Sequence, residues 1–444
     1  PIETQPKRIV ALYNAPLGGS PQDVSIGEDN EYRLNTKLPV ALLRELVIRD
    51  ELPPGITCEE APTLDLGPTG PYAAAGFVPN TDVIPTCTDT EVEWNFGDRR
   101  ITAGTAGLNN RFDFEIGFIA RVENIAGNND GDTITNGYPA TNAFARYVNE
   151  VGATITQNFP EVAVEVREPL IALTKSFAVA NADAADVLTI TVTATNNGTA
   201  TAYNLRVLDD LTGSNLIYIG NEGGSDPPGN IDISIANRPI FSWSAPNGID
   251  PTSNISFTFE VRVDNGVEPQ EILDNTIQAA WTSLPSQNTA LINGGAGPIG
   301  PDGEIDGMRI GALPNAGDPI NDYEATATDD MLVPGVALTK TDLNPAVIPT
   351  IGVHKSFQID ITLPEGVTNN LAVADTLNST GLSYVLENEA AFDITYTFQG
   401  IATINGVAPG EAALTAFPAD ETSNSAVWNI GTVVTQTEND TSTN

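Results

Sequence analysis

A short pattern that returns three times limits this chain more than any other feature. Leu-x-(Ile/Val)-x-Asp-x-Leu occurs as Leu46-Val-Ile48-Arg-Asp50-Glu-Leu52, as Leu205-Arg-Val207-Leu-Asp209-Asp-Leu211 and as Leu371-Ala-Val373-Ala-Asp375-Thr-Leu377. A second block keeps the same period: Ile171-Ala-Leu-Thr-Lys175 returns as Val336-Ala-Leu-Thr-Lys340, with a weaker echo at Val10-Ala-Leu-Tyr-Asn14. Self-similarity at a fixed spacing means one structural unit used repeatedly. The 444 residues therefore divide into three tandem modules, 1–168, 169–335 and 336–444, each of ordinary domain size.

Within each module the local signal is strand. Leu188-Thr-Ile-Thr-Val-Thr-Ala-Thr195 alternates apolar residues with Thr and runs into the turn signal Asn196-Asn-Gly198. Phe257-Thr-Phe-Glu-Val-Arg-Val263 and Phe112-Asp-Phe-Glu-Ile116 show the same period of two, the pattern of a half-buried strand. The 39 Gly and 32 Pro spread along the chain break it into short segments and disfavour long helices. Residues 40–47 have helical propensity, but their match to the repeated block argues for strand. The fold expected is all-β, three tandem Ig-like β-sandwiches.

Modules one and three pair most closely: Ile26-Gly27 matches Ile351-Gly352, and Trp94-Asn-Phe-Gly97 matches Trp428-Asn-Ile-Gly431. Modules one and two share Arg121-Val-Glu-Asn124 and Arg262-Val-Asp-Asn265. The third module lacks a counterpart of that block and is expected to miss its last strands. They would come from a continuing chain, the reading favoured, or from a strand donated by another subunit.

Lys and Arg total 19 against 58 Asp and Glu, a net charge of −39. Nucleic acid is excluded as a partner, because neutralising phosphates needs clustered cations. No apolar run is long enough for a membrane span. With one His in the chain, His-centred triads or multi-His metal sites are excluded and no enzyme is expected. Cys58 and Cys87 suit one local disulfide if the chain is secreted, the alternative being two buried thiols.

Ala172-Leu-Thr-Lys175, the Thr-rich strand, Asn196-Asn-Gly-Thr-Ala-Thr-Ala-Tyr203 and Val207-Leu-Asp-Asp-Leu211 together resemble the Thr- and Asn-rich "conserved repeat" domain of unknown function found in large bacterial and archaeal surface proteins. The tail of module two, Trp281-Thr-Ser-Leu-Pro285, Gly307-Met-Arg-Ile-Gly311 and Asn321-Asp-Tyr-Glu-Ala325, is similar to segments of very long tandem-repeat surface proteins. The resemblance implies a prokaryotic cell-surface or secreted location and a non-catalytic Ig-like module.

Two acidic loops have calcium-like spacing. Asp302-Gly-Glu304-Ile-Asp306 and Asn128-Asn-Asp130-Gly-Asp132 place oxygen donors at alternate positions, so that their side chains can converge on a hard cation. The bland reading is a polar turn. Lys175 and Lys340 open their modules at equivalent positions, where surface Ig-like domains can cross-link a Lys to an Asn. That chemistry needs a buried Lys beside a carboxylate, and an ordinary surface Lys is the expectation, with Asn14 as its counterpart in module one. Asp50, Asp209 and Asp375 are expected as Asx turns at strand ends, and Trp94, Trp243 and Trp428 as core anchors.

The role expected is a structural repeat of an extracellular fibre, sheath or stalk, partnered by copies of itself or by further repeats. The short joints Glu168-Pro169 and Val333-Pro-Gly335 favour a stiff rod. The alternative is an adhesin whose Cys58–Cys87 insertion presents a glycan-binding surface.

Overall fold

A computed structural model of the chain describes residues 2–5, 7–11, 22–243, 248–285, 307–348, 350–377, 402–406 and 425–435. The described residues form strands, turns and one 3-10 turn, Ala73–Ala75, with no α-helix.

Module one is a sandwich of two principal sheets. In the first, Asp29–Pro39 runs antiparallel between Arg8–Ala11 and Arg111–Val122, with Ile56–Glu60 beyond the latter. In the second, the strand Leu42–Glu51 lies between Glu91–Arg100 and Ala143–Val148. Burial alternates residue by residue along Asp29–Pro39, so Tyr32, Leu34 and Leu38 face the opposite sheet, the consequence of a two-residue side-chain period. Leu42–Glu51 is strand despite its helix-forming residues, because its hydrogen bonds go to two neighbouring strands and its apolar side chains fill the core.

Module two repeats this plan. Its first sheet orders Ile171–Phe177, Val187–Asn196, Asn254–Val263 and Leu216–Gly224; its second places Tyr203–Asp209 between Ile240–Ser242 and Ile272–Thr282, with Glu324–Leu332 outside. Module three shows the same beginnings: Ala337–Asp342 pairs with Phe357–Thr362, and Gly366–Thr376 pairs with Ser425–Thr435. One core runs from Ile2 to Val166 and a second from Ile171 to Val333.

The repeated Leu-x-(Ile/Val)-x-Asp block carries a shared irregularity. Glu45, Asn204 and Asn370 each have positive φ (51°, 50° and 51°).

 Each of these residues immediately precedes the repeated Leu, and the strand register shifts there in all three modules. In modules one and three the residue opposite that Leu is a glycine, Gly97 against Leu46 and Gly431 against Leu371, with φ of 63° and 91°. Only glycine adopts that conformation without cost, which explains the shared Trp-Asn-x-Gly. Such bulges bend a strand and re-aim the side chains beyond them, here the Asp of each block.

The joint between modules one and two is packed. Arg309, buried, donates through Nε to Asn124 Oδ1 (2.9 Å) and through Nη2 to the Ile125 carbonyl (2.8 Å), and its Nη1 pairs with Glu168 Oε1 at 2.5 Å. Tyr323 donates its hydroxyl to the same Glu168 oxygen, and Ser283 donates to the Ile26 carbonyl at 2.7 Å. The Gly307-Met-Arg-Ile-Gly311 and Asn321-Asp-Tyr segments of module two are therefore joint residues. Between modules two and three, Val367 N–H donates to the Val267 carbonyl (2.9 Å) and Ala184 N–H to the Glu365 carbonyl (3.3 Å).

Candidate functional site

The three repeated Asp residues each face a Lys. In module one, Lys7 Nζ donates to both Asp50 oxygens at 2.8 and 2.7 Å, and neither side chain has any solvent exposure. In module two, Lys175 Nζ lies 3.9 Å from Asp209 Oδ2, again with both side chains fully enclosed. In module three, Lys340 Nζ donates to both Asp375 oxygens at 2.7 Å. The geometry follows from the sheets: Lys175 and Lys340 stand on the opening strands Ile171–Phe177 and Ala337–Asp342, Lys7 stands immediately before Arg8–Ala11, and each Asp stands on a bulged strand of another sheet.

An Asn completes the site in both full modules. Asn136 Nδ2 donates to Asp50 Oδ2 at 3.4 Å, and Asn275 Nδ2 donates to Asp209 Oδ2 at 3.1 Å; both asparagines are buried. Asn275 lies on Ile272–Thr282, the strand hydrogen-bonded beside the Asp strand. Neither Lys175 Nζ nor Asn275 Oδ1 has a hydrogen-bond partner.

Burial sets the protonation of these groups. It pushes Lys175 down to about 8, partly opposed by Asp209, and pushes Asp209 up to about 6, partly opposed by Lys175. Lys7 is lowered and Asp50 raised for the same reason. Withdrawing charge from water is costly for both partners, so each moves toward its neutral form. The shifts bring the neutral amine and the protonated carboxyl closer in energy to the charged pair, beside a carboxamide in one dry compartment.

This arrangement can perform one reaction on itself. Lys Nζ attacks Asn Cγ; the Asp carboxyl, beside both nitrogens, takes the proton from Nζ and returns one to Nδ2; ammonia leaves and an amide joins the two side chains. Modules one and two each hold the three groups that this step uses, with no external substrate.

These contacts correct two expectations. Lys175 is a buried member of a polar site, not an ordinary surface Lys, because Phe177 and the later strands cover it. Asp50 and Asp209 are enclosed ion-pair partners, not Asx turns, because the bulge directs them inward. In module one the Lys is Lys7; Asn14, its expected counterpart, lies outside the described residues. Lys7, Asn136 and Asn275 were not singled out from the sequence. Their signal was faint: Leu273-Asp-Asn275 and Ile134-Thr-Asn136 follow the Arg-Val-acid-Asn block at nearly equal distances.

The other candidates lie elsewhere. Cys58 and Cys87 are joined in a disulfide with Cα atoms 5.5 Å apart, linking the edge strands of the two sheets of module one. The insertion between them packs Leu64, Leu66, Ala75, Phe77 and Val83 into the core. Asn128 Nδ2 donates to the Gly55 and Glu123 carbonyls. Asp130 accepts from Thr199 and from the Glu168 N–H, and Asp132 accepts from the Asn129 N–H. Among the described residues no group of three or more His, Cys, Asp or Glu is placed to hold a metal. Asp302, Glu304 and Asp306 lie outside the described residues. Trp94 and Trp243 are buried, their indole N–H groups donating to the Pro62 and Asp226 carbonyls.

No family model matches the chain, and no curated protein matches it. Among solved structures, it is similar to BcpA, the major pilin subunit of Bacillus cereus, at 14% identity and TM-score 0.27, over 62% of this chain and 58% of that one. It is also similar to the collagen adhesin of S. aureus, at 9% identity and TM-score 0.19, over 74% and 93% of the two chains. The major pilin SpaD of Corynebacterium diphtheriae aligns at 11% identity and TM-score 0.24, over 64% and 57%. The chain thus spans under two thirds of either pilin's length.

Proposed function

We propose that this chain is a load-bearing structural segment of an extracellular fibre, sheath or stalk, and that modules one and two are each locked by a Lys–Asn amide formed by the module itself. One observation carries the reading: a buried Lys, Asp and Asn recur at the same place in both complete sandwiches. Tension along the chain enters a module at its first strand and leaves near its last. An amide from Lys175 to Asn275 joins those two ends, so force bypasses the sheet ladders between them. The packed joint at Arg309 serves the same purpose, transmitting load without a flexible linker.

Intact mass measured under denaturing conditions tests this. The chain should be lighter than its sequence by two ammonia molecules, one lost from Asn136 and one from Asn275, and digestion should yield peptides linked Lys7–Asn136 and Lys175–Asn275. A mass equal to the sequence would reject the cross-links. In single-molecule pulling, modules one and two should barely lengthen, whereas Asn136→Ala and Asn275→Ala should each release the enclosed length of one module.

A further inference from the structure

Modules one and two hold the Asn of the site differently. Asn275 sits inside Ile272–Thr282, a strand hydrogen-bonded on both sides, and among the described residues its Oδ1 accepts no hydrogen bond. Asn136 instead ends the strand Thr133–Asn136, and the chain turns back at once through residues 137–142 to Ala143–Val148, where Ala143 lies opposite Asp50. Thr141 closes that turn. Its backbone N–H donates to the Gly137 carbonyl at 2.7 Å, its hydroxyl oxygen accepts the Gly137 N–H at 2.9 Å, and the hydroxyl donates to Asn136 Oδ1 at 3.3 Å. A hydroxyl has one proton, and with Gly137 N–H on the oxygen's acceptor side that proton is left for the carboxamide oxygen. The amines differ too: Lys7 is held by both Asp50 oxygens, whereas Lys175 Nζ makes no hydrogen bond.

We infer that Thr141 is a catalytic residue of module one, the donor that stabilises the oxyanion formed at Asn136 Oδ1 when Lys7 attacks. This deepens the cross-linking reading of modules one and two and rests on it. Lys7 first passes one proton to Asp50 across their ion pair, which gives the free amine. Nζ then bonds to Asn136 Cγ, and the carbonyl electron pair moves onto Oδ1, where the Thr141 hydroxyl meets the growing charge. Asp50 gives its proton to Nδ2 and takes a second one from Nζ. The carbonyl re-forms, the C–Nδ2 bond breaks, and ammonia leaves with the bonding pair. A donor raises the rate only as far as its bond strengthens on the way to the transition state. At 3.3 Å the bond to the neutral carboxamide is long, and hydrogen bonds to charged oxygen are shorter and stronger. The additional donor thus stands in the module whose amine must first be drawn out of a two-oxygen ion pair.

The test keeps the full chain unfolded in denaturant from synthesis onward, refolds it by dilution, quenches it with acid at intervals from milliseconds to hours, and measures intact mass. Each closed module is lighter by one ammonia, and digestion assigns the loss to Lys7–Asn136 or to Lys175–Asn275. Thr141→Val should slow closure of module one about a hundredfold and leave module two, the internal reference, unchanged. Thr141→Ser keeps the donor and should close at nearly the original rate. Thr141→Asp separates the two roles of the hydroxyl: it still accepts from the Gly137 N–H but has no proton to donate, so it should be at least as slow as Thr141→Val. Unslowed closure in Thr141→Val, a Thr141→Ser chain as slow as Thr141→Val, or recovery in Thr141→Asp would each overturn the inference, the last leaving Thr141 as an anchor of the turn alone. If Thr141→Val unfolds module one, seen as lost hydrogen-exchange protection across 143–148, the contrast between the Ser and Asp variants decides. Ammonia losses in the unaltered chain with an unslowed Thr141→Val refute only the role of Thr141, whereas no loss in the unaltered chain refutes the reading of modules one and two.

Discussion

Asp209 Oδ2 accepts a hydrogen bond from Asn275 Nδ2 at 3.1 Å, and the same oxygen lies 3.9 Å from Lys175 Nζ. One carboxyl oxygen thus stands beside both the group that would attack and the group that would leave. Asp209→Ala should therefore abolish the Lys175–Asn275 link while leaving both ends of it in place. The mass should rise by one ammonia after allowance for the substitution. Stability should fall by about 3 to 5 kcal/mol, because Lys175 keeps a buried charge without its partner. Denaturant melts of the two chains check this.

In the Asn275→Ala chain no amide can form in module two, and Lys175 and Asp209 remain titratable. Asp209, raised to about 6, contributes stability that is present below its unfolded value and lost as pH rises through about 6. Lys175, lowered to about 8, contributes stability that is present above its unfolded value and lost as pH falls through about 8. The pair should be least favourable between these values. The Tm difference between Asn275→Ala and the triple variant Asn275→Ala/Lys175→Met/Asp209→Asn should be largest there, with the triple variant the more stable. A difference that does not change with pH would count against buried titrating groups.

At the first joint, Arg309→Ala removes the partner of Glu168 and of Asn124. The cost should be about 3 to 5 kcal/mol in coupling between the modules. Limited proteolysis near Glu168–Pro169 should become faster, and small-angle scattering should show a wider spread of intermodule angles. Unchanged scattering would mean that the backbone contacts alone hold the joint.

Reducing the Cys58–Cys87 disulfide frees the edge strands of the two sheets in module one. With the cysteines 29 positions apart in sequence, the Cys58→Ser/Cys87→Ser chain should lose about 2 to 4 kcal/mol. The loss should be confined to module one, which hydrogen exchange can resolve by region.

Trp94 is buried among aromatic rings that include Phe118. Trp94→Ala should cost about 3 to 5 kcal/mol and should not alter retention on a glycan array, since the ring is closed to ligands. A change in glycan binding with an unaltered melting temperature would restore the adhesin reading.

The strands, the repeat and the core anchors were legible in the sequence because they are written locally. Alternation of apolar residues with Thr along 188–195 needs only neighbours to have meaning, and the recurrence of Leu-x-(Ile/Val)-x-Asp needs only comparison along the chain. The functional site was not legible in the same way. Lys175 reads as a surface residue because lysines are seldom enclosed, and its partner Asp209 comes from a strand of the other sheet, Tyr203–Asp209. The echo at Val10–Asn14 pointed to Asn14, whereas the pairing of Arg8–Ala11 with Asp29–Pro39 leaves Lys7 facing Asp50. Sequence by itself determined which residue types recur and how they alternate. Only the tertiary structure decided which of them lost their water, because burial is set by what the opposite sheet places over a side chain and not by the residues beside it.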